Sequence, residues 1–324
     1  MPVLITGGSG FVGLNIAIAL LRKGEAVVLY DLNRPPQAAE QHLCGLGAGL
    51  AIVLGDVRDR TQLTHVIREH HIDRIVHGAT ITAGAQREIQ QARLIADVNL
   101  GGTIEVLEAA LACGISRVVQ LGTGSVFGAA VPDVEQIGED LPPVPDSLYG
   151  ITKYAAERAA VRFRDKRGLN VVVGRVGVAF GPWEYDTGVR DTLSLPLQLL
   201  HVAQAGATAR FRPGLPDDWI YATDVADAVV ALLYAPSLGY DVYQIGRGRR
   251  WSVTDWCDRL RSVFPAFDYA IVEDNGPVNV GAVSANGRPP FSVERLRRDT
   301  GFSARFHEAS AFDDYVKMPG RKMD

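Results

Sequence analysis

Tyr149 and Lys153, in the run Tyr-Gly-Ile-Thr-Lys, are the two residues whose types and spacing most directly suggest chemistry. Positions i and i+4 share one face of a helix, so the Lys153 ammonium is expected beside the Tyr149 phenol, favouring its ionised form. A phenol made acidic in this way serves as an acid–base catalyst near neutral pH. Tyr and Lys at this spacing also occur on helices without any catalytic role, so the pair draws its meaning from the elements that position it.

Those elements begin at the N-terminus. Short β-rich runs at Val3 to Ile5, Ala26 to Tyr30, Ala51 to Leu54, Arg74 to His77, Arg117 to Leu121 and Asn170 to Gly174 alternate with longer helical patterns. Strands apolar on both faces and separated by helices predict an α/β fold, a doubly wound parallel sheet covered on each side. Directly after the first run, Thr6-Gly7-Gly8-Ser9-Gly10-Phe11-Val12-Gly13 leads into an amphipathic helix over Phe11 to Arg22. Glycines at 7, 10 and 13 permit a tight turn, close approach of the backbone to a pyrophosphate, and close packing of a helix whose N-terminal N–H groups attract the anion. The second strand ends at Asp31, near the roughly 20-residue offset at which an acid meets an adenosine ribose. A carboxylate there accepts from a 2′-hydroxyl and repels a 2′-phosphate, so NAD is expected rather than NADP, with Arg34 a solvated loop charge.

The chain has 324 residues, 47% of them apolar, enough for one large α/β domain with a smaller lobe. A formal charge of -4 argues against general affinity for nucleic acid or anionic membrane. Cys44, Cys113 and Cys257 are widely spaced and unpaired in pattern, so reduced thiols are expected, with neither a disulfide framework nor a zinc site. His65, His70 and His71 lack the partners of a metal motif and read as a solvated face; His77, at a strand end, reads as a packed, hydrogen-bonded histidine. Arginines at 247, 249, 250, 295, 297 and 298 read as surface charge. The N-terminus enters the first strand without a leader and no apolar run is long enough to span a bilayer, which predicts a soluble cytoplasmic protein.

Beyond Arg175 the pattern becomes a smaller lobe, with helices at Thr192 to Ala205, Thr223 to Tyr234 (opening on a Thr-Asp cap) and Ser252 to Phe264 (a Ser-x-x-Asp start). Tyr240 to Ile245 is expected to return a strand to the main sheet. The expected division is therefore a nucleotide-binding domain over 1–174, with contributions from about 220–246, and an interleaved substrate lobe over 175–324. Asn275 to Pro290 reads as a long loop and Met318 to Asp324 as a loose tail.

The glycines at three-residue spacing, Asp31, Asp56-Val57 after the third strand, His77-Gly78-Ala79 after the fourth, and Tyr-x-x-x-Lys together resemble the extended short-chain dehydrogenase/reductase family, in its NAD-dependent epimerase/dehydratase branch. Asn99 with Gly102-Thr103, Val118 to Gly128, Arg175 to Pro182 and Trp219 to Val225 extend the resemblance over nearly the whole chain. It implies a Rossmann-type fold in which Gly7, Gly10, Phe11, Val12, Gly13 and Asp31 bind NAD, Asp56 and Val57 hold the adenine, and Gly78, Ala79 and Asn99 complete the coenzyme site. Tyr149 and Lys153 would be catalytic, with Lys153 also binding the nicotinamide ribose. The family's catalytic Ser falls on Thr123, which keeps the hydroxyl, although Ser125 is close enough to compete for the role.

Thr80, Gly124, Ser125, Trp183 and Arg190 are the expected substrate contacts. Arg190 offers a bidentate partner for a carboxylate and Trp183 with Tyr185 a pocket wall, unless Asp186 or Asp191 neutralises Arg190 and the aromatics are lobe core. Nucleotide-sugar members of the resembled family carry Asn after the sixth strand and Arg before the Asp-aromatic-Ile-aromatic run; this chain has Val178 and Asp217. The expected activity is therefore NAD-dependent oxidation of a secondary alcohol on a sugar-like or hydroxy-acid substrate. The alternatives are a nucleotide-sugar 4-epimerase with tightly bound NAD and a non-catalytic NAD(H)-sensing protein. Helices at about Ala92 to Ala112 and Ser147 to Arg167 are apolar or small over broad surfaces, and in the resembled family they form a four-helix interface, implying a homodimer.

Overall fold

The structure, a computed structural model, describes residues 1–317 apart from 48, 130, 132–133, 215, 274–275 and 282–286. Part of the expected loop over 275–290, and the whole tail over 318–324, lie outside the described residues. The main sheet takes strands β1 (Val3–Thr6), β2 (Val27–Asp31), β3 (Leu50–Leu54), β4 (Arg74–His77), β5 (Arg117–Thr123) and β6 (Val171–Val176). Three short strands of the second lobe follow, β7 (Val178–Phe180), β8 (Thr208–Phe211) and β9 (Trp219–Tyr221), before β10 (Val242–Ile245) returns to the main sheet. The strand order is β10-β6-β5-β4-β1-β2-β3, and every neighbouring pair is parallel. Order reverses between β1 and β4, which opens a crevice beyond their C-terminal ends.

Both faces of this sheet are covered, which is why its strands read as continuous Val, Ile and Leu runs. Val3 and Ile5 pack on one side with α1 (Phe11–Arg22) and α2 (Gln37–Cys44). Leu4 packs on the other with α3 (Arg60–Glu69) and, beyond α4 (Ala85–Ala96), with α5 (Thr103–Ala112) and α6 (Leu148–Arg167). A π-helical turn, Asp97–Gly102, joins α4 to α5 in one rod. The rod starts at Ala85 rather than at the expected Ala92, and Gln91 (φ -134°) kinks it where the apolar pattern begins. Ser147 caps α6 by accepting from Gly150 N at 3.2 Å, and Gly168 ends it at φ 70°.

In the second lobe α7 (Leu195–Gln204) starts at the Ser194 cap, and α8 (Ala222–Tyr234) folds back onto α1 under the main sheet. The expected Thr-Asp cap of α8 does not form; Asp224 instead accepts from Arg305 N and Phe306 N, both at 3.0 Å. The Ser252 cap of α9 (Val253–Val263) does form, to Asp255 N at 3.3 Å. With β11 (Asp268–Ile271) and α11 (Glu308–Val316), the lobe encloses an aromatic core in which Phe180 meets Trp219, Tyr221, Trp251, Trp256 and Tyr315 edge-on, while α10 (Glu294–Thr300) packs Leu296 into the main-sheet core. Among the described residues no helix is long and apolar enough to cross a membrane.

Candidate active site

The crevice at the sheet's order reversal is a cleft of about 830 Å³, lined from the glycine turn to the second lobe. Gly7 sits at φ +69°, and a Cβ there would lie 2.7 Å from Ala79 N; one on Gly13 would lie 2.3 Å from Gly7 O. Helix α1 therefore rests directly on the turn, and it opens at Gly10 with no side-chain cap, leaving its first N–H groups and their partial positive charge to an anion. Asp31 faces the cleft with Oδ2 accepting from Ser9 N at 3.1 Å and Oδ1 from Asn33 N at 3.4 Å. Burial raises its pKa against those donors. Arg34 is spent on Glu40. Farther along, Arg58 holds the Asp56 carboxylate through its backbone N (2.9 Å) and Nε (3.0 Å), keeping it below the usual range, and Val57 is buried against Gly102.

At the other end, β5 runs out at Thr123 and a 3-10 turn, Gly124–Phe127, carries the chain across the base of α6. The Thr123 and Thr82 hydroxyls and the charge of Arg190 all favour the ionised form of the Tyr149 phenol. Burial outweighs all three, so the phenol pKa lies above its ordinary value. Lys153 is 2% exposed and donates Nζ to Leu121 O at 2.7 Å. Burial pushes its pKa down to about 8, against the opposing charge of Glu157. The expectation that the Lys153 ammonium acidifies Tyr149 directly is thus corrected for the free protein: the four-carbon stem carries the ammonium to a β5 carbonyl, and desolvation dominates at the phenol. Ser125 donates its N–H to Thr123 Oγ1 (3.1 Å), and its hydroxyl meets the same oxygen at 3.3 Å, which puts Thr123 between Ser125 and Tyr149.

A buried chain of hydrogen bonds holds the wall opposite. Thr103 donates its hydroxyl to Asn99 O at 2.7 Å, so it must accept from His77 Nε2 (2.9 Å), and Nδ1 then accepts from Thr6 at 2.7 Å. His77 is neutral, its pKa depressed to about 3 by burial and by the charge of Lys153.

Residues 3–246 match the NAD dependent epimerase/dehydratase family. The chain belongs to this family. It is accordingly an NAD-dependent enzyme, and the uncapped α1, the glycine cradle and Asp31 fit that coenzyme. UDP-glucose 4-epimerase of Streptomyces lividans is 30% identical over 277 residues, covering 80% of this chain and 80% of that protein. dTDP-glucose 4,6-dehydratase of Streptomyces niveus is 27% identical over 333 residues, covering 98% and 92%. The solved UDP-glucose 4-epimerase of Thermotoga maritima, with UDP-glucose, superposes with a TM-score of 0.80 at 21% identity over 98% of this chain and 97% of that one, a likeness of fold.

Within this epimerase/dehydratase chain the cleft is lined by Gly7, Gly10, Phe11, Val12, Gly13, Asp31, Asp56, Val57, Gly78, Ala79, Thr80, Thr123, Gly124, Ser125, Tyr149, Lys153 and Arg190. Two expected residues are elsewhere. Asn99 is 1% exposed in the π-helical turn and does not line the cleft; its Oδ1 accepts from Ile81 N (2.8 Å) and Thr80 (3.0 Å), and its Nδ2 donates to Ile81 O (3.1 Å) and Thr152 (3.2 Å). It braces the coenzyme wall from behind. Trp183, at φ 62°, turns away from the cleft to pack on His42 with ring centroids 5.2 Å apart. Tyr185 does line the cleft, and its hydroxyl donates to Ser9 O at 2.8 Å, closing the second lobe over the glycine turn. The partner of Arg190 is neither Asp186 nor Asp191 but buried Glu184, at 2.8 Å.

Sequence reading missed Thr82 and Arg288. Thr82 acts on the Tyr149 phenol from an isolated bridge to Arg190, more than 100 residues later in the chain. Arg288 lines the cleft from the long C-terminal loop, donates to Gly128 O at 3.1 Å, and feels Asp217 and Asp146; an arginine in a Gly-Pro-rich loop carries no local signal of this. Arg247 and Arg295 are also not simple surface charges: Arg247 lies over Trp251 at 5.5 Å and Arg295 over Tyr240 at 4.1 Å.

Proposed function

We propose that this epimerase/dehydratase-family enzyme oxidises a secondary alcohol of a sugar-like or hydroxy-acid substrate, with Tyr149 as general base. The convergence of the Tyr149 phenol, the Thr123 hydroxyl and the buried Lys153 in one cleft with the glycine turn carries this reading. Bound NAD supplies the hydride acceptor. Tyr149 takes the hydroxyl proton, Thr123 orients the oxygen that loses it, and Lys153 holds the ribose and adds positive charge near the phenolate. Gly7, Gly10, Phe11, Val12, Gly13 and Asp31 would hold the pyrophosphate and adenosine ribose, Asp56 and Val57 the adenine, and Gly78 and Ala79 the channel between. The second lobe, from Arg175 onward, would supply the substrate contacts, including Arg190 and Arg288.

Net oxidation is favoured over epimerisation because the far end of the cleft is poor for a diphosphate. Val178 lines it without a side-chain polar atom to offer, and the half-buried Asp217, outside the lining, sets its carboxylate against the charge of Arg288. The second reading, a nucleotide-sugar 4-epimerase with resident NAD, is supported by the Streptomyces lividans relative. A screen of sugar acids, aldoses and nucleotide sugars, following NADH absorbance and product stereochemistry together, separates them. Lasting NADH with a ketone product supports oxidation; an epimer without lasting NADH overturns it. Membership of an enzyme family displaces the NAD(H)-sensing alternative.

The enzyme is proposed to act in the cytoplasm as a homodimer. Cys44, Cys113 and Cys257 are free thiols. Ile89 (79% exposed) on α4 and Ile151 (48%) on α6 leave apolar surface on the two helices expected at the interface.

A further inference from the structure

Lys153 and Glu157 stand one turn apart on α6, at 2% and 0% exposure. The ammonium makes no ion pair among the described residues; its bond is to Leu121 O. Glu157 has both oxygens occupied by Arg175 of β6, with Nη2 to Oε1 at 2.6 Å and Nε to Oε2 at 2.8 Å. Arg175 is itself 3% exposed, with its guanidinium over the Phe127 ring at 5.1 Å. Three charges of alternating sign are thus sealed between α6 and the sheet, where a lone ammonium would be strongly penalised; the largely buried Glu139 carboxylate, paired with Arg295, also acts on Arg175.

The other elements packed on α6 bring no second anion to Lys153. His77 on β4 is held neutral between Thr6 and Thr103. Arg117 on β5 is spent on Leu232 O and Ala235 O. On the rod, Arg87 and Arg93 of α4 pair with Asp191 and Asp97, and Glu105 and Glu108 of α5 pair with Arg60 and Arg167. Glu88 lies in the first turn of α4. Tyr149, one turn earlier on α6, is uncharged until it gives up its proton.

We propose that Glu157 is a positioning residue, acting through Lys153 by keeping it in its charged form, and that Arg175, by occupying both oxygens of Glu157, limits how firmly it does so. This rests on the reading of Lys153 as a member of the catalytic set. The consequence is a site whose cation is adjustable from one helical turn away: with Lys153 at about 8, its charge is lost under mildly alkaline conditions, and the Glu157–Arg175 pair decides where.

The test needs no substrate. In the full-length protein labelled with 15N-lysine, the side-chain signals of Lys23, Lys153, Lys166, Lys317 and Lys322 are followed against pH, and Lys153→Met assigns the one of interest. Glu157→Gln is expected to lower the Lys153 midpoint by about one pH unit. Arg175→Met, which frees Glu157, is expected to raise it. Each of these leaves one buried charge unpaired, so the double variant Glu157→Gln/Arg175→Gln, with neither charge left, serves if a single variant does not fold; its midpoint is expected to fall. A midpoint that stays put or rises without Glu157, or that falls in Arg175→Met, overturns the proposal. Because no turnover is measured, failure here is distinct from failure to find an alcohol substrate.

Discussion

Arg87 and Asp191 grip each other across the mouth of the coenzyme cleft, with Nη2 to Oδ1 at 2.7 Å and Nε to Oδ1 at 2.8 Å. The same carboxylate accepts from Gly84 N at 2.8 Å, and Arg87 Nη2 also donates to Gly188 O at 2.8 Å. Beside them Thr82 N donates to Val189 O (2.9 Å) and Asp191 N to Thr82 O (3.1 Å). With Tyr185 tied to Ser9, the segment from 185 to 191 is fastened at both ends over the cleft. Coenzyme exchange is expected to require that strap to open. Arg87→Ala is expected to speed NADH dissociation roughly fivefold, the worth of a partly exposed bidentate pair. Stopped-flow release monitored by NADH fluorescence measures it, and an unchanged rate counts against the strap.

Tyr149→Phe removes the hydroxyl proposed to take the substrate proton and little else. Turnover should fall by about 10²- to 10⁴-fold while NADH affinity stays within about twofold. Thr123→Val should approach that loss and Ser125→Ala should not, because Thr123 and not Ser125 acts on the phenol. Comparable rates for Tyr149→Phe and the parent would remove the base from the mechanism.

Asp31 is proposed to set coenzyme choice by charge. Its carboxylate already accepts from Ser9 and Asn33, and Arg34, the nearby cation, is taken by Glu40. A 2′-phosphate would face an uncompensated carboxylate, a repulsion worth on the order of a hundredfold in affinity. Asp31→Ser should narrow the NAD over NADP preference by about that factor in titrations of both coenzymes; an unaltered ratio would place the discrimination elsewhere.

His77 should leave a signature in acid stability. Its folded pKa, about 3, lies below the unfolded value of 6.5. Between those two pH values the unfolded chain binds a proton that the native chain does not, so the contribution of His77 falls as pH drops through that window, by up to about 1.4 kcal/mol per pH unit. His77→Gln keeps a donor and an acceptor but does not titrate. Urea melts from pH 7 to pH 4 should show a shallower decline for the variant, and parallel curves would mean that the histidine is charged in the folded protein.

Ile89 and Ile151 offer apolar surface on α4 and α6. If these helices form the subunit interface, Ile151→Asp buries a carboxylate there and should convert the dimer to monomer in sedimentation experiments at micromolar concentration. A monomeric parent protein would dispose of the dimer outright.

Much of this molecule was legible along the chain because the signals are local. Helix α1 runs from Phe11 to Arg22 as the apolar spacing after the glycine turn predicts, and the main-sheet strands fall within a residue or two of their β-rich runs. The Ser252 cap formed as read. The Thr-Asp cap of α8 failed because Asp224 found backbone donors at Arg305 and Phe306, some 80 residues later, which no local pattern announces. Trp183 was misplaced for a similar reason: its neighbours suggest a pocket wall, but a left-handed backbone turns its ring onto His42.

By itself the sequence determined the parallel sheet, the coenzyme turn with its acid at Asp31, and the Tyr149–Lys153 pair on one helix, since each depends on residues within a few turns or one strand of each other. Tertiary structure alone decided which charges act on which. Arg190 rather than Lys153 is the cation felt by the free phenol, Asn99 supports the coenzyme wall from behind, and Arg288 enters the cleft from a distant loop. Electrostatic influence depends on distance and desolvation in the folded interior, and both are set by segments that meet only when the second lobe closes on the sheet.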